Sequence, residues 1–123
     1  MKFSLLISIY AKEIPSNFDT CMQSIWDDQT VKPNEIVLVE DGKLTKDLYT
    51  CITKWKLKLN DTLKVVVLEE NVGLGKALNI GLGKCQYDLV ARMDTDDISC
   101  SRRLEKQLYI YLKIKILMYA VAG

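Results

Sequence analysis

An open, mostly parallel sheet of alternating β-α units is the fold the sequence predicts. Three observations point to it. Four short stretches are rich in apolar residues, and the first of them is apolar on both faces, as a central strand covered by helices on each side of a parallel sheet must be. Between them lie segments whose apolar residues recur at helical spacing. The order that results, β-α-β-α-β-α-β-α, favours right-handed crossovers and therefore parallel, Rossmann-like pairing.

FSLLISIY, Phe3 to Tyr10, is too short to prefer a helix and reads as the first strand. Pro15 follows, and Ser16 is the candidate N-cap of a helix over Ser16 to Gln29, with Phe18, Cys21, Met22, Ile25 and Trp26 on one face. Lys32-Pro33-Asn34 breaks it. EIVLVEDG, Glu35 to Gly42, is a second strand that ends in two carboxylates and a glycine. Leu48, Cys51, Ile52, Trp55 and Leu59 mark a second helix, closed by Asn60-Asp61. Valine-rich Leu63 to Leu68 is the third strand. Asn71 and Gly73 make a turn, and Ala77, Leu78, Leu82 and Cys85 line a third helix despite Gly81 and Gly83. Tyr87 to Met93 is the fourth strand. Ser101 is placed to cap a fourth helix with Leu104, Leu108, Tyr111 and Leu112 on one face, and Ile116 to Gly123 to begin a fifth strand. No linker, low-complexity stretch or larger repeat interrupts this order, so residues 1–123 are expected to form one domain.

Composition narrows the function. With 17 basic against 16 acidic residues the net charge is +1, which gives no overall footprint for nucleic acid, nor for an acidic membrane surface. Histidine is absent, and histidine triads, histidine metal sites and imidazole acid/base work go with it. Cys21, Cys51, Cys85 and Cys100 form no CxxC pair, as expected of small buried thiols in a reducing cytoplasm, with neither zinc nor disulfide. Lys2 is followed by only eight residues, FSLLISIY, before the polar stretch that holds Lys12 and Glu13, which does not look like an export signal. No apolar run reaches the ~18 residues needed to cross a bilayer. Leu108 to Gly123 comes nearest, interrupted by Lys113 and Lys115, and is the segment expected to make any peripheral membrane contact.

If the strands are parallel, their carboxyl ends share one rim, where ligands of open α/β sheets bind. Those ends are Tyr10 to Glu13, Glu40-Asp41-Gly42, Glu69 to Gly73, and Asp94 to Asp97. The last, in VARMDTDD, puts three carboxylates within four residues. Taken alone, it fits a solvated acidic turn capped by Asp97 or Ser99 as well as it fits a metal site. A diphosphate facing bare Asp94 and Asp96 would be repelled by about 4 kcal/mol per pair of charges ~4 Å apart. A hard divalent ion held by those oxygens reverses the sign. The spacing is not that of an EF-hand.

Four motifs together carry a resemblance: S-x-Y-x-x-E at Ser8 to Glu13, EDG at Glu40 to Gly42, NVGLGKALN at Asn71 to Asn79, and MDTDD at Met93 to Asp97. In this order, each at a strand end, they resemble the family-2 glycosyltransferases of the GT-A fold, in particular bacterial enzymes of surface polysaccharide synthesis. RRLEKQL, Arg102 to Leu108, is similar to the helix after that family's metal motif. The resemblance implies a nucleotide-sugar-binding domain that takes a sugar from a nucleotide-diphosphate donor, a UDP-sugar, and passes it with inversion to a saccharide or lipid-linked saccharide acceptor. It implies Mn²⁺ or Mg²⁺ as cofactor and work in the cytoplasm, at the inner face of the cell membrane. It sets Ser8 and Tyr10 against the nucleotide, Glu13 in the binding loop, Asp41 on the base, where a carboxylate favours uracil, and Lys76 on the phosphates. Asp96 would hold the metal, Asp94 the metal or the ribose, and Asp97 would support them. Gly73 and Gly75 would permit close backbone approach, and Arg102 and Arg103 would help with the diphosphate. Each has an ordinary alternative: an edge tyrosine, solvated loop and helix charges, an Asp-Gly turn, glycines before a helix.

One departure from the family stands out. Inversion needs a carboxylate base on the acceptor side, downstream of the metal motif. No acidic residue follows Glu105, so the expectation is a chain truncated after the metal motif, with acceptor-binding half and base absent and an exposed edge that favours self-association. A non-catalytic nucleotide-binding remnant is the main rival. A Mg²⁺-binding receiver-like domain would place its acidic pair after the first strand, and a dehydrogenase would want G-x-G-x-x-G there; Tyr10 to Glu13 offers neither.

Overall fold

The computed structural model describes residues 2–94. The expected fourth helix and fifth strand, the tail, Cys100, Asp96, Asp97, Arg102 and Arg103 lie outside the described residues. Within them the elements are β1 (Phe3–Ile9), α1 (Pro15–Ile25), β2 (Glu35–Glu40), α2 (Lys46–Leu59), a 3₁₀ turn (Asn60–Thr62), β3 (Leu63–Val67), α3 (Leu74–Lys84) and β4 (Leu89–Asp94). The four strands pair in parallel in the order β3-β2-β1-β4. The expected open α/β sheet is therefore present. The strand order reverses between β1 and β4, because the crossover through α3 carries the chain from one edge back past β2 to the far side of β1.

Side-chain alternation along the strands divides the core. Phe3, Leu5, Ile7 and Ile9 of β1 join Ile36 and Leu38 of β2 and Ala91 and Met93 of β4 under α1 and α2. Leu6, Val37, Val39 and Val90 point the other way, against Ala77 and Leu78 of α3. Gly81 explains how α3 lies so close. A Cβ there would sit 2.5 Å from Leu6 Cδ1 and 2.6 Å from Val39 Cγ2, so the glycine that looks like a flaw in the helix is the contact point with the sheet.

The first helix differs from its sequence reading at both ends. It starts at Pro15 with Ile14 as N-cap and no side-chain cap, because proline already has the dihedral of a first helical residue and no N–H to satisfy. Ser16 is thus inside the helix, its carbonyl accepting the Thr20 hydroxyl at 2.9 Å. The helix ends at Ile25, where Gln29 Nε2 donates to the Ser24 carbonyl at 2.6 Å and Lys32 Nζ to the Trp26 carbonyl at 2.6 Å, taking up last-turn acceptors. In α2 the Thr45 hydroxyl accepts the Leu48 amide at 3.3 Å, with Asp47 in the first turn and Lys56 and Lys58 in the last, each at the helix end that favours its charge.

At the amino ends of the strands, Glu35 is 3% exposed and ties four segments together. Its carboxylate accepts from Ser4 Oγ of β1 at 2.7 Å, Lys64 Nζ of β3 at 3.0 Å and the Gln86 amide that leads into β4. Burial pushes the Glu35 carboxyl up, but the Gln86 amide, the Ser4 hydroxyl and the Lys64 ammonium together outweigh it and hold it below its usual value.

Candidate functional site

The carboxyl ends of the strands form the rim on which the sequence placed its candidates. Ser8 and Asp94 are register partners on neighbouring strands β1 and β4, at the point where strand order reverses. Ser8 is buried to 8% exposure on the α3 side of β1, and Asp94 is the last residue of β4. Tyr10 follows β1 and is 46% exposed, a ring free to meet a planar ligand. Its carbonyl accepts the Glu13 amide at 3.0 Å, closing a turn, and Glu13 Oε1 accepts the Ile14 amide at 3.2 Å, so this carboxylate helps to shape the loop before α1.

Asp41 is 4% exposed and joins the ends of three strands. Its amide donates to the Ile9 carbonyl at 2.8 Å. Its Oδ1 accepts the Val72 amide at 2.7 Å and its Oδ2 the Gly73 amide at 3.2 Å, while its carbonyl accepts Asn71 Nδ2 at 3.2 Å. One lone pair on each carboxylate oxygen remains for a ligand. Gly42 has φ +86, and a Cβ on it would lie 2.8 Å from the Asn71 nitrogen. EDG and NVG, separated by thirty residues, are thus one structural unit that fixes where α3 begins.

Gly73, with φ +93, is the N-cap of α3, and Lys76 lies exposed in the first turn. A lysine at that end opposes the helix dipole, an arrangement that a bound anion relieves. Sequence reasoning placed Asn71 in a turn and Glu40 in the EDG motif but gave neither side chain a task of its own. Asn71 could have been found only from the pairing of the two loops. Glu40, the last residue of β2, is 5% exposed and has no hydrogen-bond partner for its carboxylate among the described residues; burial pushes its pKa up.

Asp94 is the register partner of Ser8 at the switch point, and among the described residues no group of three or more His, Cys, Asp or Glu side chains is placed to hold a metal ion. Asp96, the second expected ligand, is beyond the described residues.

Comparison with known proteins bears on the family and the fold. The family model for glycosyl transferase family 2 matches residues 4–115. The chain is 50% identical over 106 residues to the amylovoran biosynthesis glycosyltransferase AmsE of Erwinia amylovora, covering 86% of the chain and 39% of that protein. It is 45% identical over 104 residues to the UDP-Gal:alpha-D-GlcNAc-diphosphoundecaprenol beta-1,3-galactosyltransferase of Escherichia coli, covering 85% of the chain and 37% of that protein. The chain therefore spans less than two fifths of the length of these relatives. Among solved structures, S. aureus TarS 1-349 in complex with UDP-GlcNAc superposes with a TM-score of 0.70 at 31% identity, covering 86% of this chain and 30% of that one. GalNAc-T7 with UDP, GalNAc and Mn²⁺ superposes with a TM-score of 0.75 at 21% identity, covering 91% and 21%, a likeness of fold alone.

Proposed function

Because this chain belongs to glycosyl transferase family 2 and has the GT-A arrangement of sheet and helices, we propose that its 123 residues bind the nucleotide-diphosphate sugar of a transfer reaction in bacterial surface polysaccharide synthesis. The donor is a uridine diphosphate sugar, the acceptor a lipid-linked saccharide at the inner face of the membrane, and the transfer inverts the anomeric centre. The observation that carries this reading is the convergence at one rim of Ser8, paired in register with Asp94, and of the Asp41 clamp that fixes the start of α3.

Each residue then has a physical task. Tyr10 lays its exposed ring on the base or ribose. Ser8 lines the floor of the rim between β2 and β4. The spare lone pairs of Asp41 accept the ring N–H of uracil, which cytosine lacks at that position. Lys76 and the first amides of α3 neutralise the diphosphate. Asp94 and Asp96 hold Mn²⁺ or Mg²⁺, which when bound supplies Lewis-acid stabilisation of charge on the departing diphosphate. Glu13 shapes the loop under Tyr10.

The test is a thermal shift. UDP should raise the melting temperature with Mn²⁺ or Mg²⁺ present and not in EDTA, and Asp96→Asn should remove the rise. A shift that ignores the metal, or none with any nucleoside diphosphate, would overturn the proposal.

A further inference from the structure

Residues 43–58, which run from just past the Asp41 clamp through α2, hold five lysines and one acid, in a chain whose net charge is only +1. Three of those lysines are engaged locally. Lys54 pairs with Asp19 at 2.7 Å and Lys58 with Asp27 at 2.6 Å, both on the flank toward α1. Lys56 Nζ donates to the Asn60 and Leu63 carbonyls on the flank toward β3. Lys43 and Lys46 have no ion pair among the described residues and stand exposed at the rim end of the helix.

The buried stripe of α2 is Leu48, Ile52, Trp55 and Leu59. Directly opposite, at helical spacing, Lys46, Thr50, Thr53 and Leu57 face outward. Leu57 is 75% exposed and Tyr49, on the flank of the same face, is 37% exposed. Lys43, Leu44, Lys46, Tyr49, Thr50 and Thr53 line a shallow cavity of about 490 Å³ beside them. The Tyr49 hydroxyl accepts the Leu44 amide at 2.9 Å, which fixes its ring beside Lys43 and Lys46. A membrane surface has a use for the lysines, which meet anionic phosphates, for a tyrosine ring at the interface and for a leucine that enters the acyl boundary, while the Thr50 and Thr53 hydroxyls donate to the Lys46 and Tyr49 carbonyls at 3.0 and 2.9 Å.

We propose that the outer face of α2, led by Lys43, Lys46, Tyr49 and Leu57, is a docking surface for an anionic phospholipid membrane. The surface begins two residues after Asp41, so a chain seated on it holds the sugar-donor rim at the headgroup level. The link to a lipid-linked acceptor rests on the function proposed above; the docking itself rests on the composition and exposure of this face.

Co-sedimentation of the full chain with vesicles tests it. Binding to vesicles of phosphatidylglycerol and phosphatidylcholine in equal parts should exceed binding to phosphatidylcholine alone, and should weaken about tenfold or more between low and physiological salt. Lys43→Ala with Lys46→Ala should weaken it roughly thirtyfold, and Leu57→Ser a few fold, while Lys84→Ala, at the far end of α3 on the opposite face of the sheet, should leave it unchanged. Absence of binding by the wild type, as an acidic protein partner would predict, overturns the proposal, as does retention of binding by the double variant. Displacement by millimolar inorganic phosphate, the mark of a free-anion site, also overturns it. The UDP-dependent thermal shift, followed in the same variants, separates the two readings. A normal shift with no vesicle binding sinks only the docking surface, and vesicle binding that depends on Lys43 and Lys46 with no shift sinks only the donor site.

Discussion

Strand β2 begins and ends in a buried glutamate, and the two have opposite surroundings. Glu35 accepts from a hydroxyl, an ammonium and a backbone amide, and its carboxyl is held below its usual value. Glu40, five residues on and nearly as buried, has no such donors among the described residues, and its carboxyl is pushed up. Identical side chains on one strand thus serve different ends of the sheet. The amino end is closed and satisfied, as a region under pressure for stability should be. The carboxyl end carries an acid that, among the described residues, has no donor to its carboxylate, beside the rim proposed to hold the ligand, a local cost of the kind that functional sites retain.

The largest effect should come from opening the closed end. Glu35→Ala leaves the Ser4 hydroxyl and the Gln86 amide buried without an acceptor and Lys64 without its counter-charge. A loss of about 3 kcal/mol in urea unfolding is expected. Because the folded Glu35 carboxyl lies below its unfolded value, about 4.3, its contribution is present above that pH and fades as pH falls through the folded value. The Glu35→Ala variant should therefore lose its disadvantage in acid. A loss under 1 kcal/mol at neutral pH would mean that the amino end is not the anchor of the sheet.

At the other end, Gly42→Ala meets both a positive φ and the Asn71 backbone, and should cost about 2 kcal/mol. The part of the effect specific to the rim is in binding. Moving the loop before α3 displaces Lys76 and the Gly73 amide together, so the UDP-dependent thermal shift should shrink by more than the melting temperature alone explains. An undiminished shift would show that EDG and NVG do not act as one unit.

Glu40→Gln should do the reverse of Glu35→Ala and stabilise, by about 1 kcal/mol at pH 8. The folded Glu40 carboxyl lies above its unfolded value, so the stability it allows is complete below about pH 4.3 and declines as pH rises through the folded value. The advantage of glutamine should vanish in acid. Stability of Glu40→Gln equal to wild type at pH 8 would mean that Glu40 is compensated after all, and the contrast between the two ends would fall.

How much of this could be read from the sequence differs between the same two ends. Among the described residues, alternation of apolar runs with helical stripes was enough for the order of elements and for parallel pairing, because β1 and β2, buried along their whole length, leave a continuous apolar signature. The four strand-end motifs were legible too, and the family they resembled is the one the chain belongs to. What escaped was long-range. Glu35 read as the first residue of a strand, since nothing near it in sequence announces Ser4, Lys64 and Gln86. Asp41 read as half of an Asp-Gly turn or a ligand for a base, while its bonds to Val72 and Gly73 depend on a crossover thirty residues long. Gly81 read as a blemish because the Leu6 and Val39 side chains that need its missing Cβ lie on other elements. Ser16 lost the cap to a local competitor, Pro15, whose ring sets the helix start one residue earlier.

The smallest expected effect on stability belongs to Tyr10, which makes it the sharpest probe of the rim. Its ring is almost half exposed, and its bond to the loop, from the Glu13 amide, uses only its backbone carbonyl. Tyr10→Ala should therefore change the melting temperature of the free protein by no more than a surface substitution does, within about 0.5 kcal/mol. Base stacking on an aromatic ring is worth about 1–3 kcal/mol, so UDP affinity measured calorimetrically should fall by roughly tenfold or more. Tyr10→Phe should keep most of it if the ring carries the contact and lose it if the hydroxyl does. A variant that is less stable but binds UDP normally would return Tyr10 to the framework of the sheet, and with it the distinction between an end built to hold and an end built to bind.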